Sequence, residues 1–211
     1  MTADDLSFVL VAFSAVFFVV DPFLVVPIFL SITAGDSVDK RRQTAWRASR
    51  MALFTLILFA VAGGFILRAF GISLGAFKTA GGLLLFLTSI DMMRAQPART
   101  RSSAEEQAEG AAKDDVAIIP MAIPMLAGPG SIATVMVLMG RADWHPLRTT
   151  AVFAAIVLTC LAAWLLMRSA ILAERFLSRT GMNVAERVMG LLLAAIAVEF
   201  TAGGIRDLFG R

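Results

Sequence analysis

The sequence predicts an all-α polytopic membrane protein with six transmembrane helices, arranged as two inverted three-helix repeats in which spans 1 and 4 are broken mid-membrane. Three observations support this fold class. Hydrophobic residues make up 58% of the 211 residues, above the roughly 45–50% of a typical soluble domain. Charged residues cluster between apolar runs of about 20 residues or more, the length that crosses a bilayer core. A pattern in the first half of the chain also recurs in the second.

The apolar runs define the spans and a single membrane domain over residues 1–211. These runs are continuous and do not alternate in polarity, so they indicate helices and not the strands of a barrel. A polar stretch at 94–115 separates the third run from the fourth and is predicted to be a solvated loop. The six spans are predicted at about Leu6–Thr33, Ala45–Leu67, Gly71–Met93, Val116–Met139, Thr149–Leu172 and Val184–Ile205.

The distribution of lysine and arginine predicts the orientation in the membrane. The loops after spans 1, 3 and 5, with the adjoining span ends, hold 13 of these residues, and the remaining loops and termini hold 6. The positive-inside rule then places both termini outside the cytoplasm. The acidic start, MTADD, is unlike a secretory signal, so the first run is predicted to be a retained span. Basic residues at span ends set topology and do not predict a nucleic-acid partner.

Two matched pairs of segments predict the internal repeat. GLLLFLTSID at 82–91 recurs as GLLLAAIAVE at 190–199, and PFLVVP at 22–27 has the proline spacing of PMLAGP at 124–129. Chance similarity between leucine-rich helices is the alternative. Repeat one covers about 6–93 and repeat two about 116–206. Because each repeat has three spans, the second copy enters the membrane from the opposite side, as in many secondary transporters.

The first span is predicted to break at Asp21-Pro22, with Pro27 five residues further on. Proline lacks an N–H and crowds the preceding turn, so the helix kinks or opens there. A charge at this depth costs at least about 2.5 to 3.5 kcal/mol, which makes Asp21 a candidate site for a proton, a cation or a substrate ammonium. Two structural alternatives are that Asp21 caps the second half of the broken helix, or that it is protonated and inert.

The fourth span is predicted to break at Gly128, Pro129, Gly130 and Ser131. A glycine-flanked proline followed by serine and a new apolar run suggests that a helix restarts within the membrane. The backbone N–H groups from Gly130 to Ile132 would then be unpaired, and a helix N-terminus suits a carboxylate or another anion. The alternative is a packing kink that binds no ligand.

Asp91 and Glu199 occupy equivalent positions in the two repeats and are candidates for an ion or proton relay. Asp91 could instead simply lie at the membrane interface beside Arg94. Glu199 has apolar neighbours and is predicted to lie deeper, and a pair with Arg206 is expected to be poor because the two residues are seven positions apart.

Neither catalysis nor a cofactor or metal site is predicted. The chain lacks a Gly-x-Ser-x-Gly nucleophile turn and a His-Glu-x-x-His zinc motif. Its one histidine, His145, is predicted to lie in a loop beside Pro146. Because Cys160 is the one cysteine, neither an intramolecular disulfide nor a metal site built from several thiolates can form. No catalytic residue is therefore assigned.

Three segments, DPFLVVPIFLSIT, IPMAIPMLAGPGSIATV and ERVMGLLLAAIAVEF, resemble the MarC family of bacterial inner-membrane proteins, over nearly the whole chain. The resemblance implies a six-span protein of the plasma membrane, and one branch of the family is similar to neutral amino-acid transporters that handle glycine and alanine. The family pattern often has glycine and asparagine after the Asp-Pro pair. Here the four residues from Phe23 to Val26 are apolar, so the polar ligands of that pattern are missing.

The leading functional hypothesis is a secondary transporter or exporter of a small zwitterionic or anionic solute. In it, Gly128 to Ser131 hold the anionic group, Asp21 binds a proton, a cation or the ammonium, and the two halves rock around this site. The partners are then the lipid bilayer and a small-molecule solute, and a homo-oligomer is left open. The alternative is a non-transporting membrane partner or assembly factor, which needs no charge at the membrane midplane.

Overall fold

A computed structural model describes residues 3–33, 35–94, 125–173 and 179–210. Regular structure in these ranges is entirely helical. In the first predicted span, two helices of 18 and 8 residues take the place of a single helix. The seven helices are α1 (Ala3–Val20), α2 (Val25–Ile32), α3 (Val38–Ala69), α4 (Leu74–Met93), α5 (Pro129–Ala142), α6 (Pro146–Ala173) and α7 (Arg179–Phe209).

The helices begin where the local sequence supplies a cap. Ser37 accepts a hydrogen bond from the N–H of Lys40 at the start of α3, and Ser73 accepts one from the N–H of Ala76 at the start of α4. Both serines satisfy a backbone donor that has no partner within its helix. Helix α5 begins with Pro129, whose missing N–H costs nothing at a first helical position.

Five of the six predicted spans are confirmed as helices long and apolar enough to cross a membrane, and the first runs from Asp4 to Leu30 across a break. The predicted fourth span is described only from residue 125 onward. Its described part contains α5, whose 14 residues extend about 21 Å at 1.5 Å per residue. Residues 116–124 of that span and 95–115 of the polar loop lie outside the described residues.

Two bodies make up the described helices. Helices α1, α2, α3, α5 and α6 share one apolar core, which we call the bundle. Helices α4 and α7 form the most extensive helix pair in the structure, which we call the paired helices, and they contact the bundle mainly through α5. The grouping joins the third predicted span to the sixth, so each proposed repeat contributes helices to both the bundle and the paired helices.

Small residues bring the paired helices close together. They run antiparallel, because Gly75 lies against Gly204 and Gly82 lies against Ala197. Near the other end of the pair, Gly190 faces the backbone oxygen of Ser89. Association of helices in a membrane depends on close packing rather than on hydrophobic burial, and glycine permits that approach.

The contacts also place the start of α1 and the end of α7 at one end of the structure, which we call the terminal end. Arg148 at the start of α6 pairs with Asp5 in α1, and Lys78 near the start of α4 pairs with Asp207 near the end of α7. Helix α5 runs toward this end through the middle of the protein, and every residue from Ala133 to Met139 is buried. The outer helix faces carry exposed large apolar side chains, which suits contact with lipid.

Candidate functional site

The first break is centred on Asp21, which ends α1 in a left-handed conformation with φ of 51°. Its N–H donates to the carbonyl of Phe17, and its Oδ1 accepts a hydrogen bond of 3.2 Å from the N–H of Leu24. Aspartate tolerates this backbone conformation better than most residues. The side chain therefore bridges the gap between α1 and α2, as the capping interpretation predicts.

The other residues of this break complete a turn of four residues between the two helices. Pro22 is buried within the turn, and Pro27 is the third residue of α2, where a proline does not remove an intrahelical bond. Asp21 itself is only 1% exposed. Its Oδ1 therefore has a hydrogen-bond partner at the start of α2 although the side chain is removed from solvent.

Two substitutions at Asp21 should separate its structural role from its charge. Asp21→Ala is expected to destabilise the protein by about 2 kcal/mol, because it loses a helix cap and places a less tolerant residue at positive φ. Asp21→Asn keeps an acceptor oxygen and tolerates the same conformation, so it should stay within about 0.5 kcal/mol of the wild type. Thermal unfolding in detergent would measure the difference. Equal losses in both variants would show that the capping geometry is not what stabilises this break.

The second break lies at Gly128 and the first turn of α5. Met125 and Leu126 form a wide helical turn, and Gly128 is extended, with φ of −73° and ψ of 170°. The N–H of Ile132 donates to the carbonyl of Gly128, so the expectation that this N–H is unpaired is wrong. The N–H groups of Gly130 and Ser131 belong to the first helical turn, which has no intrahelical acceptor for them.

The two breaks meet inside the protein. Gly130 faces Val19 in the last turn of α1 and Leu85 of α4, which is the twelfth of the 20 residues of that helix. A small cavity of about 30 Å³ lies at this junction, enough for one or two water molecules. Its lining comes from α1, α4 and the start of α5: Val19, Leu84, Leu85, Thr88, Gly128, Pro129, Gly130 and Ser131.

The cavity brings together part of the predicted site. All four residues of the second break line it, and Thr88 adds a hydroxyl that donates to the carbonyl of Leu84. Asp21, Pro22 and Pro27 do not line it, although Val19 precedes Asp21 by only two residues. The cavity is therefore lined largely by apolar side chains, and its polar groups are the hydroxyls of Thr88 and Ser131 and the backbone of the second break.

The two matched acids lie far from each other. The antiparallel register of the paired helices places Asp91 and Glu199 about 11 residues apart along the pair, or roughly 16 Å. Asp91 is partly buried. The prediction that Glu199 lies in the interior is wrong, because its side chain is 78% exposed. The expectation that it pairs poorly with Arg206 is also wrong, because the two side chains are 3.4 Å apart. The structure does not bring these acids to the small cavity.

A much larger open cavity of about 710 Å³ lies at the terminal end, between the bundle and the paired helices. We call it the vestibule. An adjoining cavity of about 340 Å³ shares Val11 and Arg141 with it and is otherwise lined by Asp4, Ser7, Phe8 and Arg148. The vestibule is lined by Leu10, Val11, Ser14, Ala15, Lys78, Arg141, Ile196, Glu199, Phe200, Gly203, Arg206 and Asp207.

The basic residues of the vestibule were not predicted from the sequence. Lys78 is 8% exposed and contacts the backbone position of Gly203. A lysine inside an apolar span is unusual and could have been singled out on that ground. Arg141 gave no such signal, because an arginine in the last turn of a helix is commonly explained by the helix dipole. Among the described residues, no group of three His, Cys, Asp or Glu side chains could hold a metal ion.

Comparison with known proteins places the chain in a family. A sequence model of the MarC family, described as MarC family integral membrane protein, matches residues 6–209. Among the similar proteins are a UPF0056 membrane protein of Aquifex aeolicus, 36% identical over 93% of this chain and 92% of the relative, and one of Methanocaldococcus jannaschii, 39% identical over 96% and 98%. The Escherichia coli protein YhcE is 33% identical over 93% and 91%.

No solved structure matches the chain significantly. The family match covers all seven described helices except the first residues of α1. It thus includes both helix breaks, the small cavity and the vestibule. With five helices that can cross a membrane, the chain is a multi-pass integral membrane protein in contact with the lipid bilayer, and it belongs to the MarC family.

Proposed function

We propose that this protein is a secondary transporter or exporter of small solutes in the inner membrane, with neutral amino acids as the first candidates and both termini outside the cytoplasm. The observation that supports it best is the meeting of two helix breaks beside a small internal cavity. Non-helical backbone is tolerated within a membrane only where protein or a water-filled cavity surrounds it. The N–H groups of Gly130 and Ser131 at this junction suit an anionic group.

Contacts within the paired helices support the inverted repeat that we propose. The sequence repeat relates Gly82 to Gly190 and Ser89 to Ala197, each pair 108 positions apart. A Cβ on Gly82 would lie 2.8 Å from the oxygen of Ala197, and a Cβ on Gly190 would lie 3.1 Å from the oxygen of Ser89. Each contact is the image of the other when the two helices are exchanged, as an inverted repeat requires.

In the proposed transport cycle, the paired helices move against the bundle. Both the small cavity and the vestibule lie at the boundary between these bodies. An apolar cluster that includes Val19, Leu85, Val137 and Phe200 also lies on this boundary. Phe200 lines the vestibule, and Val19 and Leu85 line the small cavity. Separation of this cluster would join the two cavities, whereas its closure keeps them apart.

Asp21 is the proposed proton-coupling group. Its Oδ1 accepts a hydrogen bond of 3.2 Å from the N–H of Leu24 at the start of α2. Protonation would weaken this bond and so loosen the connection between α1 and α2, next to the small cavity. A proton gradient could then bias the conformation of the break.

Solute flux into proteoliposomes tests the proposal. We expect wild-type protein to carry labelled alanine or glycine above the level of protein-free liposomes, with a rate that depends on an imposed pH gradient. Asp21→Asn should retain folding, as argued above, while the gradient dependence is lost. Flux at the level of protein-free liposomes for both amino acids would remove the proposed function and favour a non-transporting role. Gradient-dependent flux in Asp21→Asn would remove the coupling role alone.

A further inference from the structure

The basic residues of the terminal end are concentrated in the two adjoining cavities. This is the end at which lysine and arginine are sparse in the sequence. Among the described residues there, only Arg68 lies outside the cavities, while Lys78, Arg141, Arg148 and Arg206 line them. The carboxylates of Asp4, Glu199 and Asp207 line the same cavities, so a cation there attracts an anion only if no carboxylate already pairs with it.

Three of the four cations are already neutralised. Lys78 pairs with Asp207 at 3.1 Å, Arg148 with Asp5 at 3.1 Å, and Arg206 with Glu199 at 3.4 Å. In addition, the Arg148 guanidinium lies 5.6 Å from the centre of the Phe8 ring. Each of these three side chains therefore already has a carboxylate partner.

Arg141 is the exception. It is exposed, it lines both cavities, and it makes no hydrogen bond or ion pair with any residue in the described ranges. Its place in the last turn of α5 is favourable for a cation, but the dipole does not require the side chain to border two cavities. A guanidinium presents a planar fork of donors that matches a carboxylate in bidentate geometry.

The position of Arg141 links the vestibule to the small cavity. Both lie along α5, with Gly130 at its start and Arg141 near its end, about 11 residues or 16 Å apart. The vestibule volume of about 710 Å³ falls within the roughly 300–1,000 Å³ of small-molecule sites. Asp4 also lines the adjoining cavity and supplies a carboxylate for an ammonium group.

We propose that Arg141 binds the carboxylate of the solute in the vestibule, as a first site on the path to the cavity at Gly130. The inference rests on the proposed transport function and names the group that the solute must carry. It assigns to Arg141 a binding role that is separate from the ion pairs around it. A solute with a free carboxylate and a compact apolar remainder, such as a neutral amino acid, fits this site.

Kinetics of alanine flux in proteoliposomes test the inference. Arg141→Gln is expected to raise the KM for alanine about tenfold, the effect of losing one charged hydrogen-bonding partner. Arg141→Lys keeps the charge without the planar fork, so its KM should lie between the two. Arg68→Gln is the matched control, because Arg68 occupies the last turn of α3 at the same end but lines neither cavity. Its KM should change by less than about twofold.

Thiol labelling provides a second test of alanine binding at position 141, and this test does not depend on transport. The single native cysteine, Cys160, is buried, so background labelling by a membrane-impermeant reagent should be low. Arg141→Cys is expected to react, with alanine slowing the reaction, and Arg68→Cys should react at the same rate with and without alanine.

The outcomes separate this inference from the proposed function. Wild-type alanine flux with an unchanged KM in Arg141→Gln, or labelling of Arg141→Cys that alanine does not slow, would overturn the role of Arg141 and leave transport intact. Absence of alanine and glycine flux in the wild type would overturn both.

Discussion

Replacing Gly82 with leucine is expected to separate α4 from α7 and to prevent isolation of a folded protein. A Cβ at this position would lie 2.7 Å from the N of Thr201 and 2.8 Å from the O of Ala197, both backbone atoms of α7. Backbone in a packed helix cannot yield as a flexible side chain does, so the helices must move apart. We expect destabilisation at or above the ~3 kcal/mol that marks severe overpacking.

Gly64→Leu is the matched control for this prediction. Gly64 lies within α3, and a Cβ there would meet no atom of another helix within 4 Å. The same substitution should therefore leave a monodisperse protein in size-exclusion chromatography and an unchanged midpoint of thermal unfolding. If Gly82→Leu matched Gly64→Leu in both measurements, the close packing of α4 against α7 would be wrong, and with it the division into bundle and paired helices.

The second large effect is expected at Gly130, where leucine should abolish solute flux in a protein that still folds. A Cβ at Gly130 would lie 2.5 Å from Cδ2 of Leu85, the far end of a flexible side chain, and 3.7 Å from Cγ1 of Val19. Rotation of Leu85 can relieve the first contact. The leucine side chain would then occupy the cavity of about 30 Å³ and cover the adjacent N–H groups.

Alanine and glycine flux in proteoliposomes, with the thermal unfolding midpoint measured on the same sample, checks this prediction. We expect flux to fall to the level of protein-free liposomes in a protein that still shows a cooperative unfolding transition, which Gly82→Leu is not expected to give. Gly64→Leu should transport as the wild type does. Wild-type flux in Gly130→Leu would show that solute does not pass through this junction.

The spans and their breaks were predictable because both follow from local chemistry. Apolar runs of about 20 residues specify membrane helices, and five of the predicted spans are confirmed. Proline and glycine predicted helix breaks at Asp21-Pro22 and at Gly128-Pro129, and α2 and α5 begin at or just after these positions. The capping role of Asp21 was also foreseeable, since aspartate suits both a helix cap and a positive φ.

The rest depended on which helices become neighbours, and periodicity does not encode that. Glu199 has apolar neighbours in sequence, yet it faces an open cavity, because the vestibule forms between bodies distant along the chain. The pair between Lys78 and Asp207 joins residues 129 positions apart. For the same reason the sequence could not show that Arg141 lines a cavity, because residues of α1 and α7 form the other walls.

The pairing of α4 with α7 has a consequence for biosynthesis. The ribosome completes α4 by residue 93, whereas α7 ends only at Phe209. Between these two events, the newly inserted α4 presents its glycine-lined face, with Gly75 and Gly82, to the lipid or to the insertion machinery. The close contact between the two helices can form only in the last stage of synthesis. A chain that stops before α7 would therefore have α4 in the membrane with no helix packed against its glycines.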